Sequence, residues 1–160
     1  MKASDKAKLV INTNIHMTIA TVDAQGKPWI TPVFYVHDNS YNLYWTSYKE
    51  SEHSKNIRNN SNVSIVIYGP VPPENNIDAV YMQATVTQLE SENEAFPAIN
   101  ILSKHIQEAK FMIKSPSDVL GNAAWRIYKA SPQTVSRRTE KGEVINGQYI
   151  SKRETINLLY

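Results

Sequence analysis

Short runs rich in Val, Ile, Thr, Tyr, Phe and Trp, broken by Gly, Asp, Asn and Ser, set the pattern of the chain from His16 onward. That is the signature of antiparallel strands joined by short loops. Residues 17–22 (MTIATV) form the first run, with the imperfect alternation of a strand buried on much of both faces. Residues 23–26 make a hairpin loop in which Gly26 can take positive φ. In the second run, residues 28–36, Trp29, Thr31, Val33 and Tyr35 share one face and Ile30, Pro32, Phe34 and Val36 the other. Pro32 cannot donate to a ladder, so it marks an edge, a bulge or a place where a ligand meets the backbone. Residues 41–47, 63–68 and 78–89 are three further strands, the fourth apolar enough to be central. Residues 69–76 hold three prolines and are irregular. Residues 124–130 and 133–138 read as two strands parted by Ser131-Pro132, and Asn146-Gly147 closes a hairpin of residues 143–145 and 148–150. The tail, residues 152–160, fits either a short helix or a strand.

Helical spacing interrupts this β pattern three times. Residues 4–12 form a short helix capped by Ser4, and residues 52–59 one capped by Ser51 with Ile57 as its core contact. Ser91 and Glu94 make a capping box, and Leu102, Ile106, Ala109 and Ile113 continue the spacing from Ile99 until Ser115-Pro116-Ser117. Pro97 lies too deep for a first turn, which predicts a kink or a restart. Seven or more strands with two or three helices between them predict a mainly β fold, a closed or partly closed barrel capped by helices. The length of 160 residues suits a single domain over the whole chain.

Composition narrows the chemistry. An apolar share of 41% and a charged share of 20% are ordinary for a globular protein. A net charge of +2 argues against a nucleic-acid partner. With no cysteine there is no disulfide, thiolate metal site or cysteine nucleophile. The N-terminus lacks the apolar core of a signal peptide, and the apolar runs fall far short of the roughly 20 residues a membrane helix needs. A soluble cytoplasmic protein is expected. The histidines, His16, His37, His53 and His105, have no ligand spacing, so no metal site is expected. No Gly-x-Ser-x-Gly elbow supports a serine hydrolase. Trp29, Trp45 and Trp125 read as core or interface, and Arg137, Arg138 and Lys141 as a solvated basic face.

One stretch carries candidate chemistry. The third strand ends in Thr46 and Ser47, and Ser51, His53, Ser54 and Lys55 follow at a helix start. Hydroxyls, a helix N-terminus and a lysine make a phosphate seat. On the residues alone, a capped surface helix is the favoured explanation.

The order and spacing of several pieces resemble the pyridoxamine 5′-phosphate oxidase-like FMN-binding split-barrel superfamily. These are the Ala-Thr-Val and Gly-Lys-Pro hairpin at residues 20–28, Thr-Pro-Val-Phe-Tyr at 31–35, Leu-Tyr-Trp-Thr-Ser at 43–47, the stretch Ser54–Ser64 and the strand at 80–89. Residues 125–130 resemble the family's late strand. The resemblance implies a six-stranded antiparallel Greek-key split barrel that forms a homodimer with two FMN molecules at the interface. It implies that Ile30, Thr31, Pro32 and Val33 flank the flavin ring through their backbone. Trp45, Thr46 and Ser47 would line the ribityl and phosphate end, His53, Ser54 and Lys55 would hold the phosphate, and Gln83 would reach the cofactor from a neighbouring strand. Where the vitamin B6 oxidase pattern carries aromatic residues after Pro132-Gln133-Thr134-Val135, this chain has Ser136-Arg137-Arg138. That departure implies a small general flavin oxidoreductase, served by a donor such as reduced nicotinamide, or a flavin store. Deazaflavin or haem in the same fold, and a barrel that binds a ligand without catalysis, are the rival readings.

Overall fold

The computed structural model describes residues 2–69, 79–105, 113–138 and 142–159. Helix α1 (Ala3–Thr13) leads into strands β1 (His16–Val22), β2 (Pro28–Phe34), β3 (Val36–His37) and β4 (Leu43–Tyr48). Helix α2 (Glu52–Asn59) precedes β5 (Asn62–Tyr68) and β6 (Ala79–Gln88); α3 (Glu92–Ser103) and a 3-10 turn (Pro116–Asp118) precede β7 (Trp125–Arg138). A hairpin, β8 (Glu143–Ile145) with β9 (Gln148–Ile150), stands apart from the main sheet, and β10 (Arg153–Thr155) pairs with β7.

The main sheet is antiparallel in the order β2-β1-β5-β6-β7-β4-β3. Its two end strands, β2 and β3, are consecutive stretches of one segment separated only by Tyr35. The sheet therefore curls until one bent segment pairs at both edges, with β1 on one side and β4 on the other. Counted that way, the fold is the expected six-stranded split barrel, and the β4–α2–β5 crossing gives it its Greek-key order.

Alternation divides the sheet into two faces. Met17, Ile19, Trp45, Ile65, Ile67, Val80 and Met82 point inward and form the barrel core, to which α1 adds Ala7, Val10 and Ile11, and α2 adds Ile57. A second cluster lies outside, where α3 packs Ala95, Ala98, Ile99 and Leu102 against Val36, Tyr44 and Ile127. Helix α3 thus covers the outer face near β3, β4 and β7. At the far end of β2, Phe34 packs against this second cluster, but the outward residues Ile30, Pro32, Thr18, Ala20, Ser64 and Gln83 join neither cluster, and Ile30, Pro32 and Gln83 among them are exposed.

Several local expectations change. Helix α1 starts at Ala3, before Ser4, because the Asp5 carboxylate accepts the Lys2 N–H at 3.2 Å and holds the first turn. Ser51 sits at the N-cap of α2, but its hydroxyl donates to Ser54 Oγ at 2.8 Å and makes no cap bond. Helix α3 runs through Pro97 without a restart. Pro97 and Asn93 both lie on its exposed side, so water reaches the carbonyl that proline leaves unbonded. Ser131-Pro132 does not break β7, a single strand of 14 residues. Instead the register shifts between Gln83 and Ala84, whose partners are Thr134 and Pro132, and Gln133 is the extra residue of a bulge. The tail is strand at β10, with Leu158 in the core. Arg137 is not part of a solvated face: it is 6% exposed and pairs with Glu154 at 3.5 Å. The expected strand start at Asp78, the helical positions Ile106 and Ala109, and Lys141 lie outside the described residues.

Candidate functional site

The uncovered face is built from directly opposed residues. Ala20 stands between Ile30 and Ser64, Ser64 faces Gln83, and Gln83 faces Thr134. The next row is Pro32, Thr18, Val66, Tyr81 and Ser136. Alanine, serine and threonine in the middle leave space above the strands that larger side chains would fill. The result is two adjoining clefts of about 370 and 460 Å³ that share Ala20, Ser64 and Gln83. Together they form a trough running along β1 from Val22 to Thr18, roughly 13 Å at the rise of a strand. Among the described residues no carboxylate lines it; Arg153 is its cation.

The bulge in β7 turns Gln133 into the first cleft, where its amide donates to Thr85 Oγ1 at 2.7 Å. Thr134 Oγ1 donates to Gln83 Oε1 at 3.3 Å. Hydroxyls and amides therefore edge a floor that is partly apolar, a lining suited to a flat heterocycle with polar atoms on its rim.

Helix α2 is tied to one end of this trough. The buried Asn56 amide donates to Thr21 Oγ1 at 3.0 Å, and Thr21, Val22 and Pro28 line the first cleft. Next to Asn56, Lys55 is exposed. Behind it lies a hydroxyl–imidazole network. His53 Nε2 is 2.7 Å from Ser47 Oγ and 3.2 Å from Ser51 Oγ. Burial pushes the His53 pKa below its usual value, which favours a neutral ring able to accept the Ser47 hydroxyl. Ser54 is fully buried and Ser47 is 5% exposed, so both hydroxyls serve the interior. Trp45 is also fully buried and stacks on Tyr128 with centroids 5.4 Å apart. Any contact of Trp45 with a bound group must run through its main chain.

The sequence-predicted residues therefore separate. Ile30 and Gln83 meet in the trough; Thr31 and Val33 turn inward on β2, and Pro32 turns outward beside Thr18. Thr46, Ser47, His53, Ser54 and Lys55 cluster at the β4–α2 junction. Sequence reasoning missed Thr18, Ala20, Ser64, Gln133 and Arg153. Ser64 carried a signal, as a small polar residue inside an otherwise apolar strand. Ser131-Pro132-Gln133 carried another, since proline within a strand marks a bulge. Among the described residues no group of three or more His, Asp or Glu side chains could hold a metal, and no helix is long and apolar enough to cross a membrane.

Comparison with solved structures matches this architecture. The heme storage protein HutZ from Vibrio cholerae superposes with a TM-score of 0.69 at 17% identity, over 84% of this chain and 94% of that one. A heme-binding protein from Mycobacterium smegmatis gives 0.69 at 18% identity, over 95% of this chain but only 58% of that one. A FAD-binding protein from Mesorhizobium loti gives 0.62 at 17% identity, over 84% and 92%. At such identities the likeness is one of fold. No curated protein matches in sequence. The family model described as pyridoxamine 5′-phosphate oxidase matches residues 3–130, most of the chain and nearly all of the barrel. The chain belongs to the pyridoxamine 5′-phosphate oxidase family.

Proposed function

We propose that this protein is a homodimeric, cytoplasmic flavoprotein that binds FMN in the trough and acts as an oxidoreductase. The observation that carries the reading is the row Ile30, Ala20, Ser64, Gln83 and Thr134, a floor kept low by Ala20, Ser64 and Thr134, with α2 tied to one end. Such a floor accepts a flat ring, and Ser64 and Gln83 offer hydrogen bonds to its polar edge. Thr31, Pro32 and Val33 lie beside it on the β2 backbone. With no carboxylate among the described lining residues, a phosphate meets no like charge. Lys55 supplies the cation from the exposed side of α2, with His53 and Ser54 bracing the helix start and Trp45, Thr46 and Ser47 leading into it. FMN, when bound, supplies the redox chemistry. The chain's own residues bind it, orient its ring on the sheet and keep one ring face open to a donor such as reduced nicotinamide. The other half of the enclosure is assigned to a second copy of the chain, because the trough lies on an open sheet face with Ile30 66% exposed.

The test is an absorption spectrum of the purified protein followed by FMN titration. Flavin bands, quenched flavin fluorescence on binding and bleaching by reduced nicotinamide are the expected results. A colourless protein that leaves FMN fluorescence unchanged overturns the reading. Flavin bound but never reduced by a nicotinamide favours a storage role.

A haem reading has one observation in its favour. His16 lies on the same outward face of β1 as Thr18, two residues from the trough. A Soret band in place of flavin bands selects haem, and a single long-wavelength band without flavin's second band selects a deazaflavin.

A further inference from the structure

At the end of the trough away from α2, strand β10 turns its side chains in opposite directions. Arg153 and Thr155 line the larger cleft with Tyr81 and Ser136, while Glu154 turns inward to pair with Arg137 at 3.5 Å. The neighbouring acid is thus occupied elsewhere. The Arg153 guanidinium lies 4.0 Å from the centroid of the Tyr81 ring. That contact holds the guanidinium over the ring face without using its N–H groups as hydrogen-bond donors. Among the described residues the Arg153 side chain makes no hydrogen bond or ion pair. It is a donor fork lining a cleft of about 460 Å³ whose lining also includes Ser136 and Thr155.

A planar fork of N–H donors matches the paired oxygens of a carboxylate or a phosphate. With the FMN phosphate held at the α2 end and the ring over Ser64 and Gln83, the Arg153 end is left for a second molecule. We infer that the Arg153–Tyr81 corner binds the oxyanion of the substrate, a small molecule carrying a carboxylate or phosphate, beside the cofactor ring. That the anion belongs to a substrate rests on the FMN reading; that the corner binds an anion does not.

Calorimetric titration of the purified protein with nicotinate, phenyl phosphate and neutral nicotinamide tests this. At least one of the two anions is expected to bind about tenfold or more tightly than nicotinamide, the scale of a charge-assisted contact. Which anion wins identifies the oxyanion. Arg153→Gln should abolish the preference while FMN affinity, read by flavin fluorescence, stays within about twofold. Arg153→Lys keeps the charge without the fork and should lower the preference several-fold; it carries the test if the Gln variant does not fold. No preference for either anion, a preference unchanged in the variants, or a tenfold loss of FMN affinity in Arg153→Gln overturns the inference. A preference that persists in a protein unable to bind FMN leaves the anion site standing and removes the flavin reading instead.

Discussion

Burial sorts the residues of the β4–α2 junction into two kinds. Ser47 and Ser54 turn their hydroxyls inward to His53 and Ser51, whereas Lys55 stays at the surface. A phosphate on this side of the trough would therefore meet the lysine, with the hydroxyls acting from behind. Lys55→Ala is expected to weaken FMN binding about ten- to a hundredfold, the loss of one charge-assisted contact, and a fluorescence titration measures it. His53 makes a separate prediction. Its pKa is lowered in the folded protein by burial, so near and below its usual pKa the unfolded chain binds more protons than the folded one. Stability should then be full above a pH of about 6.5, the unfolded value, and fall as the pH drops below it. Thermal unfolding at pH 5.5 and 7.5 reads the difference, and His53→Gln should flatten it. Residue identity made these groups legible as a polar cluster. Which of them face solvent was not legible, because that depends on how α2 leans on β1 through Asn56 and Thr21.

Elements were the most readable level, since local pattern determines them. The capping box at Ser91 and Glu94 forms as expected, the Glu94 carboxylate accepting the Ser91 backbone N–H at 3.2 Å. The Asn146-Gly147 hairpin also forms, with positive φ at both residues. Two of the misreadings share one cause: Pro97 and Pro132 were each taken to interrupt their element. In α3 the lost bond falls on the solvent side, and in β7 the strand absorbs Pro132 with a bulge at Gln133. The helix does carry the lost bond at a cost. Pro97→Ala is expected to stabilise the protein by about 2 kcal/mol, from the ~3 kcal/mol interior penalty less up to ~1 kcal/mol of unfolded-chain entropy. The midpoint of urea unfolding should rise accordingly. An unchanged or lower midpoint would show that this helix does not feel the proline.

For the molecule as a whole, the uneven cover of the barrel matters most. Helix α3 buries one part of the outer face, and the part that carries the trough stays open. If that open face joins two copies, Ile30→Glu places a charge at the contact. The wild-type chain is then expected to run as a dimer in light scattering and the variant as a monomer with weakened FMN binding. A monomeric wild type would rule out the shared site.

The sequence by itself determined most of the strands, the helices and the hairpin turns, because periodicity, turn chemistry and capping act over a few residues, and the order of its motifs carried the family resemblance. It also placed hydroxyls at the end of β4 and a lysine in the helix that follows. Only the tertiary structure decided that β2 and β3 close the sheet on one segment, and that Ala20, Ser64, Gln83 and Thr134 from four strands form one row. It alone brought Arg153 onto Tyr81 across more than seventy residues of chain. Strand register and sheet curvature make those juxtapositions, and both are settled by packing of the whole barrel, which no local stretch of sequence contains.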